Sequence, residues 1–306
     1  MPGPRVAVRP HPAPFAVEAV GAGGGTFVDD PEAAEGLVWL DPFRPEELAA
    51  TLRAAPGIRW VQLPSAGIDR VAAAGLLDHE RVWTSAKGAF AEPVAEHALA
   101  LGLAGLRRLP ERARARAWGK PAGLSLYDQP VTVLGGGGIA RALIALMAPF
   151  RVTATVVRRR AEPLPGAART LPAERLHEAL PGARLVVLAL ALTPETERVI
   201  GAEELERMDE DAWLVNVARG RHVDTGALVA ALGAGSIGGA ALDVTDPEPL
   251  PDGHPLWDAP NCIVTPHTAD TLEMVVPQLA RRIEVNVAHL ARGEELEGVV
   301  DAEAGY

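Results

Sequence analysis

Residues 131–158, VTVLGGGGIARALIALMAPFRVTATVVR, decide the fold of this chain. An apolar, β-branched run ends at Leu134, four glycines follow it, and residues 139–150 then have helical periodicity. Residues 152–157 are again apolar and β-branched, which predicts a second strand. The order of strand, glycine turn, helix and strand is typical of a nucleotide-binding βαβ unit.

Three small residues within this stretch fit the dinucleotide fingerprint G-x-G-x-x-G/A: Gly135, Gly137 and Ala140. The first permits a tight turn, the second lets the backbone approach a pyrophosphate, and the third lets the helix pack closely on the strand. A flexible linker is excluded because a strand and a helix flank the glycines, and a Walker loop because no Gly-Lys-Ser/Thr follows. The fingerprint predicts a phosphate cradle at a helix N-terminus and says nothing about the reaction.

Length, charge and cysteine content narrow the class of protein. A chain of 306 residues predicts two domains, and a net charge of −11 disfavours nucleic acid, which binds basic surfaces. Apolar runs such as 185–192 are too short to span a bilayer, and MPGPRVAVRPHPAPF lacks the apolar core of a signal peptide. A cytoplasmic protein without a membrane partner is therefore expected. Cys262 stands alone, which excludes an intrachain disulfide and a cysteine-based zinc site, and no metal is expected.

Predicted strands alternate with predicted helices along the whole chain. In the second half this alternation predicts a doubly wound parallel sheet, in which ligands bind at the carboxyl ends of strands. Arg219, Glu248 and His267 each lie just beyond the end of a predicted strand of that half. In the first half, small residues follow the strand at 58–63, and their backbone N–H groups could face an anion.

Four other stretches carry weaker signals. Residues 21–25, GAGGG, have no strand and helix around them and predict a surface turn, after three closely spaced prolines that break the chain. One helix is expected from 91 to about 109, and another over 172–180. The basic segment 111–120, ERARARAWGK, is expected to be a solvated face or a dimer arm rather than a nucleic-acid arm.

Five motifs carry a resemblance to a known family: SAGID (65–69), the glycine turn (135–140), VNVARG (215–220), ALDVTDPEPLP (241–251) and TPHTA (265–269). In order and spacing they closely resemble the D-isomer-specific 2-hydroxyacid dehydrogenases, over roughly residues 61–289. The residues before this range match the family only in general pattern. The resemblance implies an oxidoreductase, similar to glyoxylate/hydroxypyruvate reductases, that transfers a hydride between nicotinamide and a small 2-keto or 2-hydroxy acid.

The resemblance also implies the fold and the assembly. We expect a Rossmann-type doubly wound parallel sheet inserted into a smaller flavodoxin-like α/β substrate domain. The dinucleotide-binding domain is expected at residues 100–269, and the substrate domain at residues 1–99 and 270–306. Members of the family are usually dimeric, so a homodimer is expected.

Three side chains receive roles from the resemblance. Arg219 matches the family arginine, whose planar fork suits a carboxylate and can polarise a carbonyl. His267 matches the acid–base histidine, and Glu248 matches the carboxylate that orients this histidine and raises its pKa. The backbone amides of Ala66 and Gly67 match the family's cradle for the substrate carboxylate.

A larger set of residues matches family positions that contact the dinucleotide. It comprises the glycine turn, the end of the second strand of the βαβ unit, and the loops that follow later strands. Its members are Gly135, Gly137, Gly138, Ile139, Ala140, Arg158, Arg159, Pro194, Thr196, Val217, Ala218, Arg219, Asp243, His267 and Ala269.

The end of the second strand predicts which dinucleotide binds. NAD-dependent enzymes carry Asp or Glu about 20 residues past the glycines, where it holds the ribose hydroxyls. Here that position is Arg158, within VVRRR, and the first acid is Glu162. An arginine removes the repulsion of a 2′-phosphate and can pair with it. We therefore expect NADP(H) to be preferred; the alternative is that the arginines are solvated and NAD(H) binds without the acid.

Further assignments stay open. Lys87 lies near the family's substrate position, and it either holds an anion there or is a surface lysine. Asp270 stands where many relatives carry a small residue, and it either alters the substrate rim or begins a helix cap. His97 is expected to be packed or capping. The remaining histidines are expected to be structural: His11, His79, His177, His222, His254 and His289.

Two alternatives to a 2-keto acid reductase fit the same motifs. An enzyme of the same fold could act on phosphoglycerate or phosphite. A non-catalytic, dinucleotide-sensing binding protein, like the corepressors that resemble this family, is a different class. The complete set of Arg219, Glu248 and His267 favours turnover.

Overall fold

The computed structural model describes residues 3–301. The chain forms two compact units: the first takes in the chain up to Phe90 and again from Thr271, and the second is Ala91–Asp270. Among the described residues, no helix combines the length and the apolar content that are needed to cross a bilayer.

The regular elements alternate along both units. The strands are β1 (Arg5–Arg9), β2 (Thr26–Phe27), β3 (Gly36–Trp39), β4 (Trp60–Gln62), β5 (Val82–Thr84), β6 (Pro130–Leu134), β7 (Thr153–Arg158), β8 (Arg169–Pro172), β9 (Leu185–Leu188), β10 (Trp213–Asn216), β11 (Gly239–Leu242) and β12 (Cys262–Val264). The helices are α1 (Pro14–Ala22), α2 (Pro45–Ala54), α3 (Asp69–Ala73), α4 (Ala91–Leu106), α5 (Leu109–Arg114), α6 (Gly138–Met147), α7 (Ala202–Glu206), α8 (Thr225–Ala234) and α9 (Leu272–Arg292). Short 3-10 turns lie at Pro31–Ala33, Ala148–Phe150, Ala173–Glu178, Gly220–His222 and Pro255–Trp257.

The first unit contains a five-stranded sheet in the order β2-β1-β3-β4-β5, and all of its strand pairs are parallel. One row of paired residues, Ala7, Leu37, Val61 and Trp83, runs across four strands and belongs to the core of the unit. Strands buried on both faces need apolar residues at every position, which these short runs provide. This strand order is that of flavodoxin-like sheets.

The second unit contains a seven-stranded parallel sheet in the order β12-β11-β10-β9-β6-β7-β8. A row of small and β-branched residues crosses it: Val156, Val133, Val187, Val215 and Ala241. Because β6 has β7 on one side and β9 on the other, the strand order reverses beside the glycine turn that follows β6. Ligands of doubly wound sheets bind at such a reversal.

These two parallel sheets confirm the predicted fold class, a Rossmann-type sheet inserted into a smaller flavodoxin-like unit. The expected boundary between residues 99 and 100 falls inside α4, and the whole of α4 lies in the second unit. The reason is close packing: a Cβ atom at Gly105 would lie 2.3 Å from the ring of Trp213 on β10, and one at Gly102 would lie 3.0 Å from Leu185 on β9.

Three local predictions were wrong, wholly or in part. The prolines before residue 15 do not exclude a helix, because Pro14 is the first residue of α1, where its missing N–H group costs nothing. The GAGGG stretch is only partly a surface turn, since Gly23 is buried and a Cβ atom there would lie 2.8 Å from Val287 of α9. The segment 172–180 is not an α-helix but the end of strand β8 followed by a 3-10 turn.

Candidate functional site

The glycine turn after β6 has the backbone that its sequence requires. Gly135 has φ +112°, and a Cβ atom there would lie 2.1 Å from the carbonyl oxygen of Ala189, just after β9. Only glycine fits such a conformation at such a close approach. Ala140 is fully buried, as expected of the residue that packs α6 on the sheet.

The N-terminus of α6 fits a dinucleotide pyrophosphate. A Cβ atom at Gly137 would meet nothing within 4 Å, so the space above this residue is open. No side chain caps this helix end, and no acidic residue lies in its first turn, which includes Gly138 and Ile139. The free N–H groups and the positive end of the helix dipole are thus available to an anion.

Arg158 ends β7 beside this turn. Its side chain lies against Gly136, since a Cβ atom on that glycine would be 2.8 Å from Arg158 Nε. Its Nη2 atom lies 3.7 Å from Glu162 Oε2, an exposed carboxylate that competes little for the guanidinium. Arg159 is exposed and contributes to a lowered pKa of Glu195, mainly the effect of a hydrogen bond with Thr193. The Arg158 side chain therefore lies in contact with the glycine turn.

A loop after β9 carries Pro194 and Thr196. The Thr196 hydroxyl closes this loop itself, because it accepts from the Thr193 N–H at 2.8 Å and donates to the Ala191 carbonyl at 2.8 Å. The buried ring of His222 binds the loop through the Thr196 carbonyl, at 2.9 Å from Nδ1. His222 thus has the structural place expected for it, and it links this loop to the turn that bears Arg219.

The turn that carries Val217, Ala218 and Arg219 is held by Asn216 at the end of β10. The Asn216 side chain is fully buried, accepts from the Ala218 N–H at 3.0 Å and donates to the Arg219 carbonyl at 2.9 Å. The next position, Gly220, requires glycine because a Cβ atom there would lie 1.9 Å from the backbone of Thr245. The VNVARG and ALDVTDPEPLP loops therefore pack backbone against backbone.

His267 lies in a strained turn after β12. Its φ is +49°, a left-handed conformation that is uncommon for a residue with a side chain. Its N–H group donates to the Asp243 carbonyl at 2.8 Å and to the Thr265 carbonyl at 3.0 Å. These bonds fix the backbone of the turn, and backbone strain of this kind is common at functional sites.

Glu248 contacts the His267 ring directly. The distance from His267 Nδ1 to Glu248 Oε1 is 2.7 Å, and both side chains are about two-fifths exposed, at 43% and 40%. This hydrogen bond raises the pKa of His267 and outweighs burial, which lowers it. The same bond lowers the pKa of Glu248. Arg219 is close enough to lower the pKa of both groups.

Asp243 follows β11, connects the turn after β12 with His97 of α4, and is almost fully buried. Its carboxylate accepts from the Thr265 hydroxyl at 2.6 Å and from the N–H groups of Thr268 and Ala269 at 2.9 and 3.0 Å. Burial alone would raise the pKa of Asp243, but hydrogen bonds from His97, Thr265 and these two N–H groups lower it to about 2. Asp243 therefore stays ionised and fixes the turn that bears His267.

Sequence reasoning missed the place of His97. Its Nε2 atom, on the first turns of α4, lies 3.2 Å from Thr265 Oγ1 and 3.3 Å from Asp243 Oδ1. It therefore belongs to the hydrogen-bonded surroundings of the site rather than to the packing of α4. Its position in AEH was the available signal, but the partners lie about 150 residues away along the chain.

In the first unit, Ala66, Gly67 and Lys87 lie in loops that follow β4 and β5. The Ser65 hydroxyl donates to the Gly67 carbonyl at 2.6 Å, and the Ala86 N–H donates to the Ser65 carbonyl at 3.0 Å. The two loops are thus bonded to each other. The structure places the predicted residues at the carboxyl ends of neighbouring parallel strands, where ligands of such sheets bind.

Three groups outside the loops described so far remain to be placed: a cluster of metal-ligand types, Cys262 and Asp270. Among residues 3–301, one set of metal-ligand types lies together, His177, Glu203 and Glu204, with its atoms within 4.8 Å of one another. His177 hydrogen-bonds Glu204, Glu204 also accepts from the Gly201 N–H, and Glu203 pairs with Arg207, so the set stabilises α7.

Burial raises the pKa of the Cys262 thiol to about 12, so this thiol is not a ready nucleophile. Burial also raises the pKa of Asp270.

Comparisons with known proteins relate the chain to one family. The model of the D-isomer specific 2-hydroxyacid dehydrogenase NAD-binding domain matches residues 98–269. An uncharacterized protein in the proB 3′ region of Corynebacterium melassecola is 38% identical over 255 residues, which cover 81% of this chain and 84% of that protein.

Solved structures agree with this assignment. A D-isomer specific 2-hydroxyacid dehydrogenase from Xanthobacter autotrophicus Py2, in complex with NADPH and MES, is 28% identical, with a TM-score of 0.86 over 99% of this chain and 100% of that one. An NADPH-dependent glyoxylate/hydroxypyruvate reductase from Sinorhizobium meliloti, in complex with NADP and sulfate, is 25% identical, with a TM-score of 0.83 over 99% and 100%. The chain therefore belongs to the D-isomer specific 2-hydroxyacid dehydrogenase family, whose activity is NAD(P)-dependent oxidation or reduction of 2-hydroxy and 2-keto acids.

Proposed function

We propose that this protein reduces small 2-keto acids with NADPH, as a glyoxylate/hydroxypyruvate reductase does. The observation that carries the proposal is the pair of His267 and Glu248, joined at 2.7 Å with the pKa of the histidine raised. Reduction of a keto acid needs a proton donor, and the raised pKa of His267 favours the protonated form of its ring. The nicotinamide supplies the hydride when it is bound.

His267 is proposed as the acid. Because Nδ1 faces Glu248, the Nε2 atom is left to donate a proton to the carbonyl oxygen of the substrate. Glu248 holds the ring in this orientation and stabilises its charged form. In the direction of oxidation, the neutral ring would accept the proton of the hydroxyl group.

Arg219 is proposed to bind the substrate carboxylate and to polarise the carbonyl. Its guanidinium offers several N–H donors in a planar arrangement that suits a carboxylate. By resemblance, the backbone N–H groups of Ala66 and Gly67 also bind the carboxylate, and Lys87 adds a positive charge. The resemblance to the family is also the reason for proposing that this protein is a cytoplasmic homodimer.

The preference for NADPH rests on Arg158. This side chain lies against the glycine turn at the end of β7, where an NAD-dependent enzyme would have an acid. Two similar proteins support the proposal, since one was crystallised with NADPH and the other is described as NADPH-dependent. Arg159, next along the chain and exposed, is proposed as a second contact.

Arg158→Asp should lower the ratio of kcat/KM for NADPH to kcat/KM for NADH by about 10- to 150-fold, since a hydrogen bond to a charged group contributes about 1.5–3 kcal/mol. Repulsion between the new carboxylate and the 2′-phosphate adds to this effect. The measurement is steady-state kinetics with each cofactor. Arg160→Asp, the same change of charge two residues away, is the control and should leave the ratio within about 3-fold. A wild-type preference for NADH would contradict the proposal.

Glu248→Gln should shift the pH profile of reduction. Without the carboxylate the pKa of His267 falls from its raised value, so the alkaline limb of kcat/KM moves to lower pH. The acidic limb of the oxidation moves in the same direction. Glu178→Gln is the control, because Glu178 pairs with Arg175 in an exposed 3-10 turn. An unchanged alkaline limb would mean that Glu248 does not tune the acid.

The activity itself is tested by NADPH oxidation with a panel of 2-keto acids of increasing size, starting from glyoxylate and hydroxypyruvate. Turnover of the smallest members is expected. Turnover of phosphoglycerate or phosphite alone would replace the proposed substrate class. Dinucleotide binding without turnover of any of these compounds would favour the binding-protein alternative.

A further inference from the structure

A network of buried polar side chains lies in the first unit, at the carboxyl ends of β4 and β5. Its side chains are Gln62, Thr84, Arg282 and Asn286, which we call the α9 network because two of them come from that helix. Gln62 Oε1 accepts from Asn286 Nδ2 and from the Thr84 hydroxyl, both at 2.9 Å. Burial of so many polar groups is tolerated only when they are hydrogen-bonded.

Arg282 directs its fork at the loop that carries Lys87. Its Nη1 donates to the Ser85 carbonyl at 2.7 Å, and its Nη2 donates to the Lys87 carbonyl at 3.1 Å. The side chain is only 9% exposed, and its Nε lies 3.3 Å from Glu297 Oε2. A single rigid group thus fixes both ends of the Ser85–Lys87 segment.

The segment 297–300 holds Arg282 from the other side. Asn286 exchanges two hydrogen bonds with the Glu297 backbone, at 2.7 and 3.0 Å. The Gly298 carbonyl accepts from the Ser85 N–H at 2.8 Å, and the Val300 N–H donates to the Trp83 carbonyl at 2.9 Å. The segment therefore runs antiparallel along the edge strand β5.

Gly298 shows how tightly these parts fit. Its φ is +71°, and a Cβ atom there would lie 2.3 Å from Arg282 Nη1 and 2.4 Å from the Ser85 carbonyl oxygen. Any side chain at this position would push the guanidinium off the loop. The fork of Arg282 and the glycine are thus matched to each other.

We propose that Arg282, held by segment 297–300, is a positioning residue for the substrate. By fixing Ser85–Lys87, it also fixes the loop at Ser65–Gly67, because the Ala86 N–H is bonded to the Ser65 carbonyl at 3.0 Å. These are the two loops to which the proposed function assigns the substrate carboxylate, and the inference rests on that assignment. None of the atoms of Arg282 touches the substrate in this role.

The test uses two variants that disturb the same contact from different sides, Arg282→Met and Gly298→Ala. Both are expected to raise KM for the 2-keto acid about 10- to 100-fold, as misplacement of a binding group by about 1 Å does. KM for NADPH and kcat should change by less than about 3-fold, because the dinucleotide binds to the other unit. Arg282→Lys keeps the charge but cannot reach both carbonyls. Its KM for the 2-keto acid should therefore lie between those of wild type and Arg282→Met.

Arg281→Met is the control, since it makes the same change on an exposed neighbour in α9 and should leave every constant unchanged. Melting temperatures separate folding from positioning. Lower melting temperatures with KM for the keto acid unchanged in both variants would show a purely structural role and would overturn the inference. If Arg282→Met fails to fold, the same comparison is made with Gly298→Ala and Arg282→Lys.

Oxalate binding to the NADPH complex, measured by calorimetry, separates this inference from the proposed function. A weaker affinity in the variants by about 10-fold or more would support positioning of a carboxylate even if no 2-keto acid were turned over. Equal affinities in all proteins, or no oxalate binding to the wild type, would overturn it. Absence of wild-type turnover counts against the proposed function alone.

Discussion

Replacing His267 should lower kcat for 2-keto acid reduction by about 100- to 10,000-fold, the contribution that a general acid makes. The imidazole is held by Glu248 at 2.7 Å, and this hydrogen bond raises the pKa of His267. The affinity for NADPH, measured by fluorescence titration, should stay within about 3-fold of wild type, because the phosphate cradle lies at the N-terminus of α6.

The choice of substitution decides how this result is interpreted. His267 has φ +49°, so alanine in its place carries a backbone cost of about 1–2 kcal/mol that is unrelated to catalysis. Asparagine tolerates this conformation, and His267→Asn therefore removes the acid with the turn intact. Equal losses in His267→Ala and His267→Asn would assign the effect to the imidazole. His79→Ala is the control on an exposed histidine. Activity close to wild type in both variants at position 267 would contradict the assignment of the acid.

The sequence predicted those parts of the fold that local chemistry decides. The glycine turn was placed within a residue or two, because an apolar run, a glycine with positive φ and an amphipathic helix follow one another directly. The start of α8 is decided by equally local chemistry, since the Asp224 side chain accepts from the Ala227 N–H at 2.9 Å. Such signals lie within a few residues of the element they define.

The parts that were missed depend on contacts between distant segments. Gly23 faces Val287 across more than 250 residues of chain, and nothing in GAGGG indicates that a helix lies against it. Strand β8 adds four residues at the edge of a sheet, where pairing with β7 rather than its own composition makes it a strand. A short 3-10 turn follows it, which helical periodicity alone cannot distinguish from an α-helix.

The candidate site shows the same division. The motif order indicated Arg219, Glu248 and His267, and the structure joins Glu248 to His267 directly. The support around them could not be predicted: His97 reaches Thr265 and Asp243, and Arg282 reaches the loop of Lys87 only in the folded chain. Residues that orient a site through a second residue have no spacing rule in the sequence.

Arg219→Gln should lower kcat/KM for the 2-keto acid by about 100- to 1,000-fold, the loss observed when a donor to a developing oxyanion is removed. The carboxylate loses a charged partner and the carbonyl loses its polarising group, so both KM and kcat are expected to change. Arg219→Lys keeps the charge but not the planar fork, and it should therefore recover only part of the activity. Arg221→Gln, which breaks an exposed ion pair with Glu197, is the control.

The pH profile separates Arg219 from Glu248. The positive charge of Arg219 lowers the pKa of His267, whereas the bond to Glu248 raises it. In Arg219→Gln the remaining alkaline limb of reduction should therefore move to higher pH, opposite to its shift in Glu248→Gln. Opposite shifts would show that Arg219 and Glu248 act on the pKa of the same histidine. Shifts in the same direction, or an unchanged limb in Arg219→Gln, would contradict the assignment of Arg219 to the same site as the acid.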